Sequence, residues 1–224
     1  AKMSKSKGNT VSPDEFIEQY GSDTFRAYLM FMGPFDEGGD WNDKGITGIN
    51  RFLKKVWRIC IHSNSSDSLS SNDEKVIHKT IKLVTEDLRN MKFNTAISRL
   101  MEYVNVYSGN NSVHPDVKST LVLLLAPIAP HISEEIWESL GNSNSIFDAI
   151  WPEYIEAKTK DDSLTIIIQV NGKLRGRLEV PANTCNEDLL NSSKNIDNVK
   201  AHIEGKEIIK EIVVPRKLVN FVVK

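Results

Sequence analysis

The chain has 224 residues, room for one large or two small domains, and its 40% hydrophobic and 26% charged composition is that of a folded globular protein rather than a fibrous or disordered one. The formal net charge of −2 hides an asymmetry: from Leu164 onward 10 Lys/Arg stand against 7 Asp/Glu, and before it 18 stand against 23, so a basic C-terminal module on a mildly acidic body is suited to a polyanionic partner. Two distant cysteines, Cys60 and Cys185, with no Cys/His cluster, exclude a disulfide scaffold, leave no expected metal site and fit a reducing cytoplasm, and neither a signal peptide nor a run long enough to span a bilayer is visible.

Residues 1–11 read as a polar loop; an Ala at the first position, directly before a Lys-rich segment, is expected of a piece of a longer chain. Ser12-Pro13-Asp14-Glu15 predicts a helix start, with Ser12 and Glu15 closing a capping box and Pro13 at the first helical position. That helix runs to about Tyr20, where Gly21 stops it. Ser22 is expected to cap a second helix, 23–32, apolar nearly all round and therefore buried. Gly33-Pro34 ends it, and 34–42 is an irregular connection.

Helical periodicity then predicts 43–62 (Ile49, Phe52, Leu53, Val56, Cys60), 73–90 behind a Ser71/Glu74 capping box, 92–108, and 115–140 broken near Pro127 and Pro130. Short Ser/Asn-rich loops join them, which predicts an antiparallel bundle. Residues 156–163 read as a charged linker. Beyond it, Leu164–Val170 is a β-branched strand, Asn171-Gly172 a two-residue hairpin turn, and Lys173–Val180 its partner. A helix from a Thr184/Glu187 capping box to about His202 and strands Ile208–Val214 and Leu218–Val223 complete a ββαββ module. The fold class is thus mostly α, a helical bundle followed by a small α/β domain, with regions 1–42, 43–155 and 160–224.

Lys2-Met3-Ser4-Lys5-Ser6-Lys7-Gly8-Asn9 places two lysines three apart among small residues, a composition suited to a mobile polyphosphate clamp. Alone, such a pair is more often a solvated loop. Ser4 and Ser6 shape the loop rather than attack, since no base is paired with them. His131 beside Glu134 and Glu135 invites an acid/base reading, but opening a helix whose N-terminal dipole favours the glutamates accounts for the same residues. Trp41, Trp57, Trp137 and Trp151 fit a core better than stacking platforms. Arg51, Lys54, Lys55 and Arg58 share one basic helix face. Strand alternation puts Lys173, Arg175 and Arg177 on one side, opposite Leu174 and Leu178. Arg216 and Lys217 sit in the last turn.

The run from Lys2 through Tyr20-Gly21-Ser22-Asp23-Thr24-Phe25-Arg26 resembles the signature of class I aminoacyl-tRNA synthetases, with Ser22 in place of the usual Ala. Trp41-Asn42-Asp43, Asn50-Arg51-Phe52-Leu53, Leu125-Ala126-Pro127-Ile128-Ala129-Pro130-His131, Gln169-Val170-Asn171-Gly172-Lys173-Leu174-Arg175-Gly176 and Val213-Val214-Pro215-Arg216-Lys217 resemble the leucine-specific branch of bacterial type. Isoleucine- and methionine-type relatives often carry zinc-binding cysteines, absent here, and valine-type ones tend to end in a helical arm.

The resemblance implies an anticodon-binding type of bundle and an enzyme that joins leucine to ATP, with Mg, and passes the leucyl group to tRNA(Leu). Lys5 would stabilise the departing phosphates, Lys2 would hold the loop closed, and Ser4 and Ser6 would line it around ATP. A donor placed where charge develops is worth ~3–4 kcal/mol, and the loop would open to release product. Lys173, Arg175, Arg177, Arg216, Lys217, Arg51, Lys55 and Arg58 become expected tRNA contacts, reading phosphate and shape. No His-X-Gly-His motif and no alternating βα core occur in the chain. The chain alone is therefore expected to be a monomer that binds tRNA, holds no ATP and catalyses nothing, its opening loop disordered without a nucleotide to clamp. The competing readings are a free-standing RNA-binding protein and a valine- or isoleucine-specific relative.

Overall fold

The computed structural model describes the chain except Ala1, Lys2, Asn9, residues 160–162, Ala182, Asn183 and Arg216, and except the side chains of Lys5 and Ser163. It forms two compact units, 1–159 and 160–224, each with its own hydrophobic core. Among the described residues no helix is long and apolar enough to cross a membrane.

The first unit is helical. Helix α1 (Pro13–Tyr20) starts where Pro13 and the acidic Asp14 and Glu15 favour it, but Ser12 makes no cap bond. Its hydroxyl donates instead to Asp14 Oδ2 at 3.3 Å. Gly21, at φ +84°, ends α1 and is also the N-cap of α2 (Ser22–Phe31). That helix is not buried all round: Ala27 and Tyr28 enter the core while Leu29 is 46% exposed. Tyr28 donates to the carbonyl of Asn42 at 2.7 Å and accepts from its amide. Its ring passes so close to Gly45 that a Cβ there would meet the hydroxyl at 2.7 Å. Trp41 packs edge-on against Phe16 and Tyr28, and together these contacts fold the 34–42 connection onto α2. The regions 1–42 and 43–155 thus lie within one compact unit.

Helix α3 (Ile46–Trp57) buries Ile49, Phe52, Leu53 and Val56, and continues as a wider π-turn over Arg58–His62. Strand β1 (Asn64–Ser65) pairs in parallel with β2 (Ser112–Val113), a two-residue contact with no sequence signal. Helix α4 (Ser71–Arg89) opens with the capping box one residue before the expected place. Ser70 Oγ accepts from Asp73 N at 3.0 Å and Asp73 Oδ2 from Ser70 N at 3.2 Å. Glu74, so released, binds Lys158 Nζ at 2.8 Å, and Lys82 binds Glu156 at 2.7 Å. Residues Glu156–Thr159, expected as linker, are therefore a 3₁₀ turn fastened to α4. Helices α5 (Phe93–Tyr107), α6 (Pro115–Leu125) and α7 (Pro130–Ser139) follow, the last two separated at the prolines as expected. All four tryptophans pack partly buried against this core.

The second unit carries β3 (Ser163–Val170), β4 (Lys173–Pro181), α8 (Asn186–Lys194), α9 (Asp197–Ile203), β5 (Ile208–Val214) and β6 (Leu218–Val223). The sheet order is β4-β3-β6-β5, antiparallel at both edges and parallel between β3 and β6. The single expected helix is split at Asn195-Ile196. Its cap is Cys185, whose Sγ accepts from Asp188 N at 3.4 Å, while Thr184 donates to the carbonyl of Pro181. Asn171 (φ 49°) and Gly172 (φ 75°) make the two-residue turn that matches strand twist. Ile166, Ile168, Val170, Val219, Phe221 and Val223 face α8 and α9.

Candidate nucleic-acid interface

The residues expected at the loop are incompletely placed. Lys2 lies outside the described residues, and Lys5 sits in a 3₁₀ turn, Lys5–Lys7. Ser4 Oγ lies 3.2 Å from Ser6 Oγ. The loop thus has local order in its described part.

The motif that follows the loop does structural work. Asp23, 8% exposed, reaches from α2 to the start of α7. Its Oδ2 accepts from Ile132 N at 2.7 Å, and its Oδ1 lies 2.8 Å from His131 Nδ1. Arg26 donates to the carbonyl of Pro127 at 3.4 Å. A carboxylate on the third amide of a helix satisfies an orphan donor and complements the dipole. His131 therefore has a structural partner 108 positions away. Glu134, its neighbour, accepts from Ser145 Oγ and Ile146 N and organises the turn after α7. Sequence reasoning missed Asp23 because nothing local pairs it with α7.

On α3, Arg51, Lys54, Lys55 and Arg58 are all exposed. Lys55 donates to Asn105 Oδ1 of α5 at 3.1 Å. Arg51 and Lys55 border a hollow of about 280 Å³ between α3 and α5, and Arg58 borders a larger one further along. This face is a row of cations on a rigid helix, as the spacing predicts.

The second unit departs from the expected alternation. The β3–β4 register steps between Ile168 and Gln169, which face Gly176 and Leu174, so Arg175 is left over as a bulge. Leu174 and Arg177, opposite Gln169 and Ile167, consequently share one face. Leu178, opposite Ile166, points to the other, while Lys173 pairs with Val170 at the hairpin end. Arg175 is half-buried, and its carbonyl accepts from Asn198 Nδ2 of α9 at 2.8 Å. Lys173, Arg175 and Arg177 are therefore not one row: a bulge inserts a residue, and a single inserted residue inverts every side chain beyond it. The face turned away from α8 and α9 carries Arg177 beside exposed Ile167 (40%) and Leu174 (53%). Lys217 is exposed at the last turn, and Arg216 lies outside the described residues. Among the described residues no group of three or more His, Cys, Asp or Glu is placed to hold a metal ion.

The family model for the anticodon-binding domain of tRNA ligase matches residues 74–189, just over half of the chain. The chain belongs to this anticodon-binding domain family. A second model, tRNA synthetases class I (I, L, M and V), matches residues 1–42, upstream of the anticodon-binding match. Two relatives match over the whole chain. Both are leucine–tRNA ligases: one of Chlorobaculum parvum (strain DSM 263 / NCIMB 8327), 47% identical, and one of Chlorobaculum tepidum (strain ATCC 49652 / DSM 12025 / NBRC 103806 / TLS), 46% identical. The chain spans 28% of the length of each. Among solved structures it is similar to the LeuRS of Agrobacterium radiobacter K84 in a ternary complex with tRNA and LeuAMS. The TM-score is 0.75 at 29% identity, over all of this chain and 32% of that one. A mostly helical unit and a small mixed sheet are consistent with an anticodon-binding domain followed by a C-terminal α/β part.

Proposed function

We propose that this chain is the tRNA-binding C-terminal part of a leucine–tRNA ligase, an enzyme that activates leucine with ATP and Mg and transfers it to tRNA(Leu). The observation that carries the reading is 46–47% identity to leucine–tRNA ligases along the whole chain. A match confined to the anticodon-binding domain would have left the amino acid open. In the whole enzyme Lys5 meets the ATP phosphates, Lys2 steadies the loop, and Ser4 and Ser6 give it room. The exposed cations Arg51, Lys55, Arg58, Lys173, Arg177 and Lys217, together with Arg216 and with Arg175 in the bulge, meet the tRNA backbone. The open sheet face around Arg177, Ile167 and Leu174 meets its folded surface. The protein acts in the cytoplasm as a monomer.

Competition among purified tRNAs for this chain tests the reading, with a leucine-accepting tRNA expected to displace valine- and isoleucine-accepting ones. Binding should weaken steeply with salt, since each phosphate contact releases counterions. Preference for a non-leucine tRNA would overturn the amino-acid assignment. Leucine-dependent ATP–pyrophosphate exchange is expected to be absent from the chain alone.

A further inference from the structure

We infer that the polar hollow where α3 ends is a site for one nucleotide of an RNA strand. Its phosphate lies on Arg58 and His62, and its ribose and base edge lie against Asn64, Asn110 and Asn111. This rests on the RNA-binding reading and adds a place to it. The hollow measures about 450 Å³, within the ~300–1,000 Å³ of small-ligand sites.

Three features of the hollow point to this ligand. First, its polar side chains are unemployed. Arg58, His62, Asn64, Asn110 and Asn111 come from three segments and all border the hollow. Among the described residues none of the five side chains makes a hydrogen bond or ion pair within the chain. No carboxylate lines it. A guanidinium and an imidazole suit a phosphate as hydrogen-bond donors, and three amides, each offering donors and an acceptor, suit a 2′-hydroxyl and a base edge.

Second, the walls are fixed. The π-turn Arg58–His62 turns the last residues of α3 out of α-helical phase, a device common at functional sites. Ser63 Oγ donates to the carbonyl of Ile59, and Lys118 Nζ to the carbonyl of Ser63 at 2.8 Å. The pairing of β1 with β2 is extended by Asn64 N donating to Asn111 O at 2.9 Å. Lys118 is 4% exposed. Burying a lysine is costly, and this one acts as a positioning residue that locks the turn carrying Arg58 and His62.

Third, the hollow ends a track. Arg51, Lys55 and Arg58 follow one another about one turn apart along one face, over roughly 10 Å of helix, and His62 comes at the end of the π-turn beyond them. Arg51 and Lys55 border the smaller hollow in the same α3–α5 groove. A strand laid on Arg51, Lys55 and Arg58 is delivered to the amides.

Binding of a leucine-accepting tRNA transcript to this chain, measured across a salt series, is the test. Arg58→Gln and the pair Asn110→Ala with Asn111→Ala should each weaken binding several-fold. Arg58→Gln should also lower the salt slope by about one. Lys118→Met should weaken binding without changing that slope's dependence on Arg177. If the chain binds tRNA and Arg177→Gln weakens it while the hollow variants do nothing, the inference fails and the RNA-binding reading stands. If the chain binds no tRNA, both fall. AMP should displace the transcript only in part, since it fills the hollow but not the cations of α3 that lead to it. Efficient displacement by AMP would overturn the RNA assignment in favour of a free nucleotide.

Discussion

The helical unit and the C-terminal unit carry their stability in different places. Among the described residues the helical core holds 29 buried side chains and the C-terminal core nine. Every tyrosine lies before residue 160. The helical unit buries Cys60, Tyr103, Tyr107 and Lys118, while the cysteine of the C-terminal unit, Cys185, is exposed. A large core can absorb titratable groups at its centre; a small one is built of aliphatic residues and one phenylalanine and leaves its titratable groups outside. The two units should therefore fail under different stresses.

The sharpest break is a cavity in the small core. Phe221 is fully buried on the central strand β6. Phe221→Ala should cost about 3–5 kcal/mol, comparable with the whole stability of a domain this size at ~0.05–0.15 kcal/mol per residue. Hydrogen exchange should then show the C-terminal amides unprotected and the helical amides unchanged. Leu124→Ala, equally buried, should cost ~2–5 kcal/mol yet leave the larger unit folded. Joint loss of both units in the first variant would show that they unfold as one.

Alkaline pH reverses the comparison. Burial pushes the Cys60 thiol up to about 12 from 9.0, and raises the Tyr103 and Tyr107 hydroxyls as well. For a group raised in the folded state, the stabilisation is complete below the unfolded value and is lost as pH climbs towards the folded one. The helical unit should thus lose stability progressively from about pH 9 to 12. Lys118, lowered by burial, acts with the opposite sign, relieving a penalty as pH approaches 10.5, and blunts the slope. Thermal melts followed by helix signal against pH check this, and Cys60→Ala should flatten the curve. A helical unit indifferent to pH over that window would contradict the burial argument. In the same range iodoacetamide should label Cys185 well before Cys60.

How much was legible in the sequence follows the same division. The helices of the first unit were readable because Ile49, Phe52, Val56 and Ile97, Leu100, Val104 repeat at helical spacing, and Pro127 and Pro130 break the sixth from the seventh. Asn171-Gly172 gave away the hairpin because few other pairs tolerate two positive φ angles. What stayed hidden was set by contacts far apart in sequence or by single inserted residues. Asp23 on the amide of Ile132 is such a contact. So are Lys118 on Ser63 and the fastening of Glu156 and Lys158 to α4. The bulge at Arg175 is one residue, and it undid the expected row of three cations. At the candidate interface the α3 cations were legible, being on a regular helix. The asparagines of the hollow were not, since a loop and a two-residue strand bring them together.

The long-range ties give the next comparison. Asp23→Ala removes the acceptor for Ile132 N in a buried setting, and should cost the helical unit about 1–3 kcal/mol. Asn171→Ala removes the side chain that both donates to the Val223 carbonyl and accepts from its amide, and places a Cβ residue with less tolerance for φ 49° at that turn. It should cost the C-terminal unit about 1–3 kcal/mol, a larger share of its stability. Denaturant melts of the two variants should therefore shift different transitions, the second by more. Equal shifts in a single shared transition would remove the distinction between the units.

The smallest effect isolates the backbone. At Gly172, φ is +75° and nothing lies within 4 Å of where a Cβ would sit. Gly172→Ala therefore creates no clash, and only the cost of holding an L-residue in the left-handed region remains, ~1–2 kcal/mol. The Gly172 amide donates to Asn220 Oδ1, and that bond should survive, since the substitution leaves the amide in place. The expected outcome is a modest fall in the C-terminal transition with the β3–β4 register and the helical transition unchanged. A fall as large as that of Asn171→Ala would mean that the turn's conformation, rather than the side-chain tie from Asn171 to Val223, holds the hairpin to β6.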